Sequence, residues 1–303
     1  EYITCDPIGM SQEDPTIVVS PISTNKFIGG AAIVASHAKT LGAKVSYISV
    51  LGNDENYIYT DEYLNNLNIN TFLLKDDTRP TTLKQRFRAH NKTLLRVNHL
   101  KQHSINKDFE HSIFQKLKQT ITNYNLIIFS DFSYGVLTKK LITHIKKLAM
   151  ENNILMVADS QSSSQVGDIS KFKHMNIVTP TERELRLSLN DFESGLVILS
   201  EKLEKKSHPK YIFTTLGSEG IMIYNSTEND LLTDNIPALN SNAKDASGAG
   251  DSLLTCSSMA LAVGANIWQS AYLGSIAAAI QVSRMGNIPI KKDEIIKEIV
   301  NEQ

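Results

Sequence analysis

Cysteine is nearly absent: Cys5 and Cys256 are the two in 303 residues, and they lie far apart with no CxxC spacing or Cys/His cluster. This argues against a disulfide framework and a structural zinc, and it points to a reducing cytoplasm. Net charge is equally scarce. The 31 basic and 32 acidic side chains leave a formal charge of -1, so no overall field selects for nucleic acid or an anionic membrane, and a small-molecule partner is expected. No apolar run reaches membrane-spanning length, and Glu1-Tyr2-Ile3-Thr4 offers neither the basic nor the apolar region of a signal peptide. The eight histidines show no ligand spacing, and the single tryptophan, Trp268, sits among apolar residues that read as helix packing.

What is present suits a large core: 41% of residues are hydrophobic and 21% charged, and one domain spanning 1–303 is expected. Short apolar runs at 126–130, 154–158, 176–179 and 211–215 read as strands buried on both faces, as in a parallel sheet. Between them, Ile105, Phe109, Ile113, Leu117 and Ile121 keep a helical spacing, as do Leu137, Leu141, Ile145 and Leu148. This β-α-β-α rhythm predicts a three-layer α/β domain with a mainly parallel central sheet. Two stretches break it. Strands within about 2–28 and 78–98, the second folding around His90-Asn91-Lys92, read as an antiparallel β lid at the sheet's mouth. Ser160 to Ser164 reads as a polar loop. Helices are expected at about 250–263, 267–283 and 292–301.

The first of those helices follows Lys244-Asp245-Ala246-Ser247-Gly248-Ala249-Gly250-Asp251. Small residues there leave backbone N–H groups of Gly248, Ala249 and Gly250 open at a helix N-terminus, an anion site. Amides fixed at that point would stabilise a phosphoryl group in transfer. Asp251 in the first turn repels a bound anion but can take a proton from an attacking hydroxyl. The plainer alternative is an N-capping turn whose aspartate satisfies backbone donors.

The string Asp245-x-x-Gly248-Ala249-Gly250-Asp251 closely resembles the second signature of ribokinase-like (PfkB) sugar kinases, with Ala246 where threonine is usual. Gly29-Gly30-Ala31-Ala32-Ile33 and Leu41-Gly42-Ala43 look like the first signature, a glycine pair beneath the sugar, with Ile33 in place of asparagine. The segments 79–86 and 94–97 resemble the lid of the D-glycero-β-D-manno-heptose 7-phosphate kinases. Alternating Lys84, Arg86 and Arg88, with Arg96, put cations on one face, as a phosphosugar requires. Ser130-Asp131-Phe132-Ser133-Tyr134-Gly135 is similar to that subgroup's Ser-Asp-Tyr-x-Lys-Gly, with Tyr134 replacing lysine; Gln161 replaces another.

Thr179-Pro180-Thr181-Glu182-Arg183-Glu184 resembles the family's Asn-x-x-Glu element, with Thr181 for asparagine and Glu182 read as a surface residue. Thr214 to Gly220 looks like the nucleotide-side turn. The resemblance implies Asp251 as catalytic base with the Gly248–Gly250 amides; Gly29, Gly30, Lys84, Arg86, Arg96 and Asp131 against the sugar; Thr215, Gly217 and Gly220 near ATP; and Glu184 and Asp245 at the metal side. It implies ATP, Mg²⁺ and a monovalent cation such as K⁺, a homodimer through lid strands, and a sugar or sugar phosphate as acceptor. An unphosphorylated sugar or nucleoside, or a non-catalytic sensor role, are the alternatives. Relatives begin with a buried strand ending in Gly-Asp-x-x-x-Asp that has no counterpart here, so an upstream first strand, and an upstream nucleotidyltransferase-like domain, are expected.

Overall fold

Residues that carry apolar side chains in unbroken runs can be satisfied only between two layers, and the run at 126–130 becomes one such strand. The computed structural model describes residues 1–90, 92–162, 166–227, 232–240 and 242–301. Its strands are β1 (Tyr2–Met10), β2 (Ile17–Asn25), β3 (Ser46–Leu51), β4 (Asn70–Lys75), β5 (Leu83–Ala89), β6 (Lys92–His99), β7 (Leu126–Asp131), β8 (Leu155–Ser160), β9 (Ile177–Val178), β10 (Tyr211–Thr215), β11 (Ile221–Asn225) and β12 (Leu232–Ile236). The helices are α1 (Ala31–Thr40), α2 (Glu55–Asn66), α3 (Lys107–Thr120), α4 (Lys139–Glu151), α5 (Glu182–Leu189), α6 (Leu196–Ser207), α7 (Ala249–Ala262), α8 (Ile267–Val282) and α9 (Lys292–Asn301).

Six strands form one sheet in the order β12-β11-β10-β9-β8-β7. β7 through β10 run parallel, while β11 and β12 are antiparallel. One face packs α3, α4, α5 and α6 through Ile113, Leu141, Leu185 and Leu203, with Phe172 from the loop before β9 beside them, and the other packs α7 and α8 through Leu253, Leu254 and Ala271. Burying each large side chain contributes about 1.5–3 kcal/mol, so these two layers supply most of the favourable term. The expected strand at 176–179 shrinks to Ile177–Val178, because Pro180 has no amide to carry the ladder on. Residues 46–75, unassigned from sequence, form a β-α-β unit in which β3 and β4 pair in parallel.

The central sheet is therefore divided between β3 and β7. β3 pairs with β4 and β7 with β8; their other edges border one cavity, and α1 packs on both strands. Val50 of β3 and Phe129 of β7 belong to the same apolar cluster, so the core continues beneath the slot.

The lid is a four-stranded sheet, β2-β1-β5-β6. β1 is in register with β5 at Tyr2, Ile3 and Thr4, with Glu1 also bonded to Lys84 and Arg86, and beyond these the β1–β2 hairpin projects and exposes Ile8 and Ile22. The β5–β6 connection at His90 matches the expected turn; Asn91, Ser163 and Ser164 lie outside the described residues. Cys5 and Cys256 are both buried and free. No helix among the described residues is long and apolar enough to cross a membrane.

Candidate active site

The glycine turn before α7 is shaped by one left-handed residue. Gly248 is the N-cap at φ 79°, and a Cβ there would stand 2.5 Å from Asn287 Oδ1, so a side chain is excluded twice over. Gly250 has open space where its Cβ would be. The amide of Ser252 bonds Gly248 O at 3.0 Å and that of Ala249 reaches Ala246 O at 3.4 Å. Among the described residues the amides of Gly248, Gly250 and Asp251 meet no protein acceptor, as an anion site at a helix N-terminus requires. Ala249 is thus the weakest of the three expected donors.

Asp251 lines the cavity in the first turn of α7 and is only 5% exposed. Burial pushes its carboxyl up to about 7, against the pull of Lys84 and a hydrogen bond from Gln161. That bond, Gln161 Nε2 to Asp251 Oδ1, measures 3.1 Å. Asp159, at the end of β8, is driven well above the carboxylate range by burial first and then by Glu184 and Asp251. Three acidic groups from β8, α5 and α7 thus converge.

Glu184 is the third residue of α5. Thr181 caps the helix by accepting from the Glu184 amide, and Glu184 Oε2 accepts from the Thr181 amide at 2.8 Å, a reciprocal capping box. Its other oxygen accepts from the Ser162 amide at 2.6 Å. Threonine in place of the family's asparagine therefore keeps the cap. Glu182 pairs with Arg186 on the surface, as expected.

The lid supplies the cations. Lys84 lies over Phe132 and Tyr134 at 5.3 and 5.4 Å, and Gly30, at φ 59°, brings the start of α1 against Phe132. Arg86 and Arg88 both lie over the Tyr2 ring, and Arg88 approaches Asp245 at 3.8 Å. Arg96, opposite Arg86 in the ladder, is exposed at the cavity wall. Gly29, Thr215, Gly217 and Gly220 line the same cavity of about 1710 Å³. Gly220 is obligatory, since a Cβ would fall 2.0 Å from Ile236 O.

Two expected site residues are occupied by protein partners. Asp131 accepts from Lys171 at 2.5 Å, Ser160 Oγ at 2.9 Å, and the amide and hydroxyl of Ser133, so it anchors the Phe132–Tyr134 loop from beneath. Asp245 accepts from Tyr2 Oη at 2.5 Å, the Gly286 amide at 3.0 Å and the Ser247 amide at 3.1 Å. Burial raises its carboxyl, but these bonds outweigh it and hold the group below its ordinary value. Ile33 is fully buried in an apolar cluster with Leu64 and Ile69, which explains why no polar contact arises from it. Sequence reasoning missed Arg79, which is buried, pairs with Asp76 at 2.7 Å and donates to Tyr134 O and His103 O. It also missed Lys171; the contacts that bring Arg79 to the Phe132–Tyr134 loop and Lys171 to Asp131 lie 55 and 40 residues away, so local sequence does not mark them.

The residues present fit a divalent cation held through water: Glu184, Asp159 and Asp251 gather acid at one cleft, yet among the described residues no three His, Cys, Asp or Glu side chains could grip a metal directly.

This arrangement has known counterparts. The chain is 30% identical over 301 residues to the "Bifunctional protein HldE" of Campylobacter jejuni, covering 97% of this chain and 61% of that protein. It spans about three fifths of the curated relatives it matches. Among solved structures it resembles ribokinase from Giardia lamblia, at 19% identity and a TM-score of 0.74 over 100% of this chain and 96% of that one. Phosphofructokinase-2 from Escherichia coli in complex with potassium is similar at 16% identity and a TM-score of 0.71, over 99% and 95% of the two chains. The model of the pfkB family of carbohydrate kinases matches residues 2–293, and with the glycine turn, its buried aspartate and the lid all in place, the chain belongs to that family.

Proposed function

We propose that this chain transfers the γ-phosphoryl group of ATP to a hydroxyl of a sugar or sugar phosphate, with the anomeric hydroxyl of a heptose 7-phosphate as the leading acceptor. The observation that carries the proposal is a buried carboxyl poised at about 7, Asp251, beside unpaired amides at a helix N-terminus. In its ionised form Asp251 removes the acceptor proton. The Gly248 and Gly250 amides hold the transferring group in line, with Ala249 weaker. Glu184 would hold Mg²⁺ through water, and the ion would neutralise charge on the phosphate oxygens. Thr215, Gly217 and Gly220 form the ATP side. Asp245 serves as an anchor for the lid and the turn rather than as a ligand, and a monovalent cation such as K⁺ remains part of the reading. Lys84, Arg86 and Arg96 face the acceptor, and lid closure excludes competing water.

A second reading, an unphosphorylated sugar as acceptor, is favoured by Tyr134 and Gln161 standing where relatives carry lysine and by Arg88 being drawn toward Asp245. A non-catalytic sensor would give no reason for a buried carboxyl raised to about 7 beside open amides. We also place the protein in the cytoplasm, pair it with a second copy through the apolar β1–β2 hairpin, and link it to a nucleotidyltransferase-like partner domain. The deciding measurement is ADP release with Mg-ATP against a panel of heptose phosphates, other sugar phosphates and free sugars. Release with a phosphosugar supports the first reading, release with free sugar the second, and release with none removes both.

A further inference from the structure

Two loops at the glycine turn are tied together by one side chain. Gln281, in the last turn of α8, is fully buried, and its Nε2 donates to Ser247 O at 3.2 Å and to Gly286 O at 2.8 Å. Ser247 belongs to the turn that opens α7, and Gly286 to the loop between α8 and α9. A primary amide carries two N–H donors on one nitrogen, so each carbonyl receives one; turned the other way, its oxygen would face two oxygens. That oxygen has no hydrogen-bond partner among the described residues. An apolar side chain of like size would avoid burying it unpaired, so what the amide contributes here is its nitrogen. The same loops meet at Asp245, whose carboxylate accepts from the Ser247 and Gly286 amides, and at Val282 O, which accepts from the Lys244 and Asp245 amides at 2.7 and 3.2 Å. Asn287 packs where a Gly248 side chain would stand and donates to Ile28 O at 3.3 Å, so the loop also reaches the Gly29–Gly30 turn.

We propose that Gln281 is a positioning residue for phosphoryl transfer: its amide nitrogen joins the glycine turn to the 283–287 loop in the place of a monovalent cation, and the turn keeps its open amides aimed without one. The inference rests on the kinase reading for its catalytic meaning, and at this junction it replaces the K⁺ included there. Carbonyl oxygens drawn together from separate loops are stabilised by a cation or by N–H donors between them. Here the donors belong to the fold. Ser247 O and Gly286 O each face one N–H of Gln281, and the Asp245 oxygens accept from Tyr2 and two backbone amides. A K⁺ ion at this point would meet the Gln281 nitrogen rather than an oxygen, so the residues present do not fit it. Ser247 immediately precedes Gly248, so releasing its carbonyl lets the amides that hold the phosphoryl group turn away.

The test compares wild type with Gln281→Ala, which removes the donor and leaves room for an ion, and Gln281→Leu, which removes the donor and keeps the volume. Each full chain is assayed for ADP release with the best acceptor, and for thermal unfolding, in KCl and in choline chloride at equal ionic strength. Wild type should give the same melting temperature in both salts and a kcat that agrees within about twofold. In choline chloride, kcat should fall about tenfold in both variants. KCl should restore Gln281→Ala at least about fivefold and raise its melting temperature by about 2 °C or more, and should do neither for Gln281→Leu. A side chain that only filled space would show no such split. Three results overturn the proposal: a wild type that depends on K⁺, a Gln281→Leu that turns over like wild type, or a Gln281→Ala that KCl leaves unchanged in both measurements. Should Gln281→Ala fail to fold, the first two decide alone. If wild type releases ADP with no acceptor, the kinase reading fails by itself, and the melting temperatures still decide whether Gln281 stands in for an ion.

Discussion

At the scale of single residues, the site depends on where one proton sits. In the proposed mechanism Asp251 must be ionised to accept a proton, so kcat/KM should fall as pH drops below about 7, a limb measurable from pH 5 to 9. The same shift has a cost for folding. A folded-state value raised from 3.8 to about 7 means stability that is fully present below 3.8 and lost as pH rises through 7, up to about 4 kcal/mol in all. Asp251→Asn, which cannot ionise, should lose at least about a hundredfold in turnover. It should also melt at a higher temperature than wild type at pH 8, the two converging near pH 3; a lower melting temperature at pH 8 would contradict the burial argument. The position of Asp251 was legible from Gly248, Gly250 and the apolar helix behind them. Its protonation was not, because burial depends on β8, α5 and the lid closing around it.

At the scale of elements, α5 links local sequence to site geometry. Its capping box fastens Glu184 to Thr181 within four residues, and the sequence displays that spacing openly. Thr181→Ala should cost about 1 kcal/mol of stability, read by thermal or urea unfolding. It should also raise the Mg²⁺ concentration needed for half-maximal ADP release, because Glu184 loses its orientation. Unchanged Mg²⁺ dependence would separate Glu184 from the metal. The other bond to Glu184, from Ser162, spans 22 residues and leaves no periodic trace. Lid strands were readable from the sequence at about 78–98, against the observed 83–99. The pairing of β1 with β5 through three residues was not, since its register is fixed by partners 84 residues apart.

For the whole molecule, the divided sheet is the most consequential feature. Among the described residues β3 and β7 each have no strand partner on the edge that borders the cavity, and inner edges of apolar parallel strands are costly to leave open. Glu1 lines the same cavity, and its nitrogen donates to Lys84 O at 2.9 Å. The amino-acid sequence alone determined the α/β rhythm, the helix ends and the glycine turn, because periodicity, capping and left-handed backbone are local preferences. The engagement of Asp131 and Asp245 by neighbours, the hydrogen bond from Gln161 to Asp251 and the split sheet were decided by tertiary structure. Hydrogen-bond partners and burial are set by residues distant in the chain, and only folding brings those together.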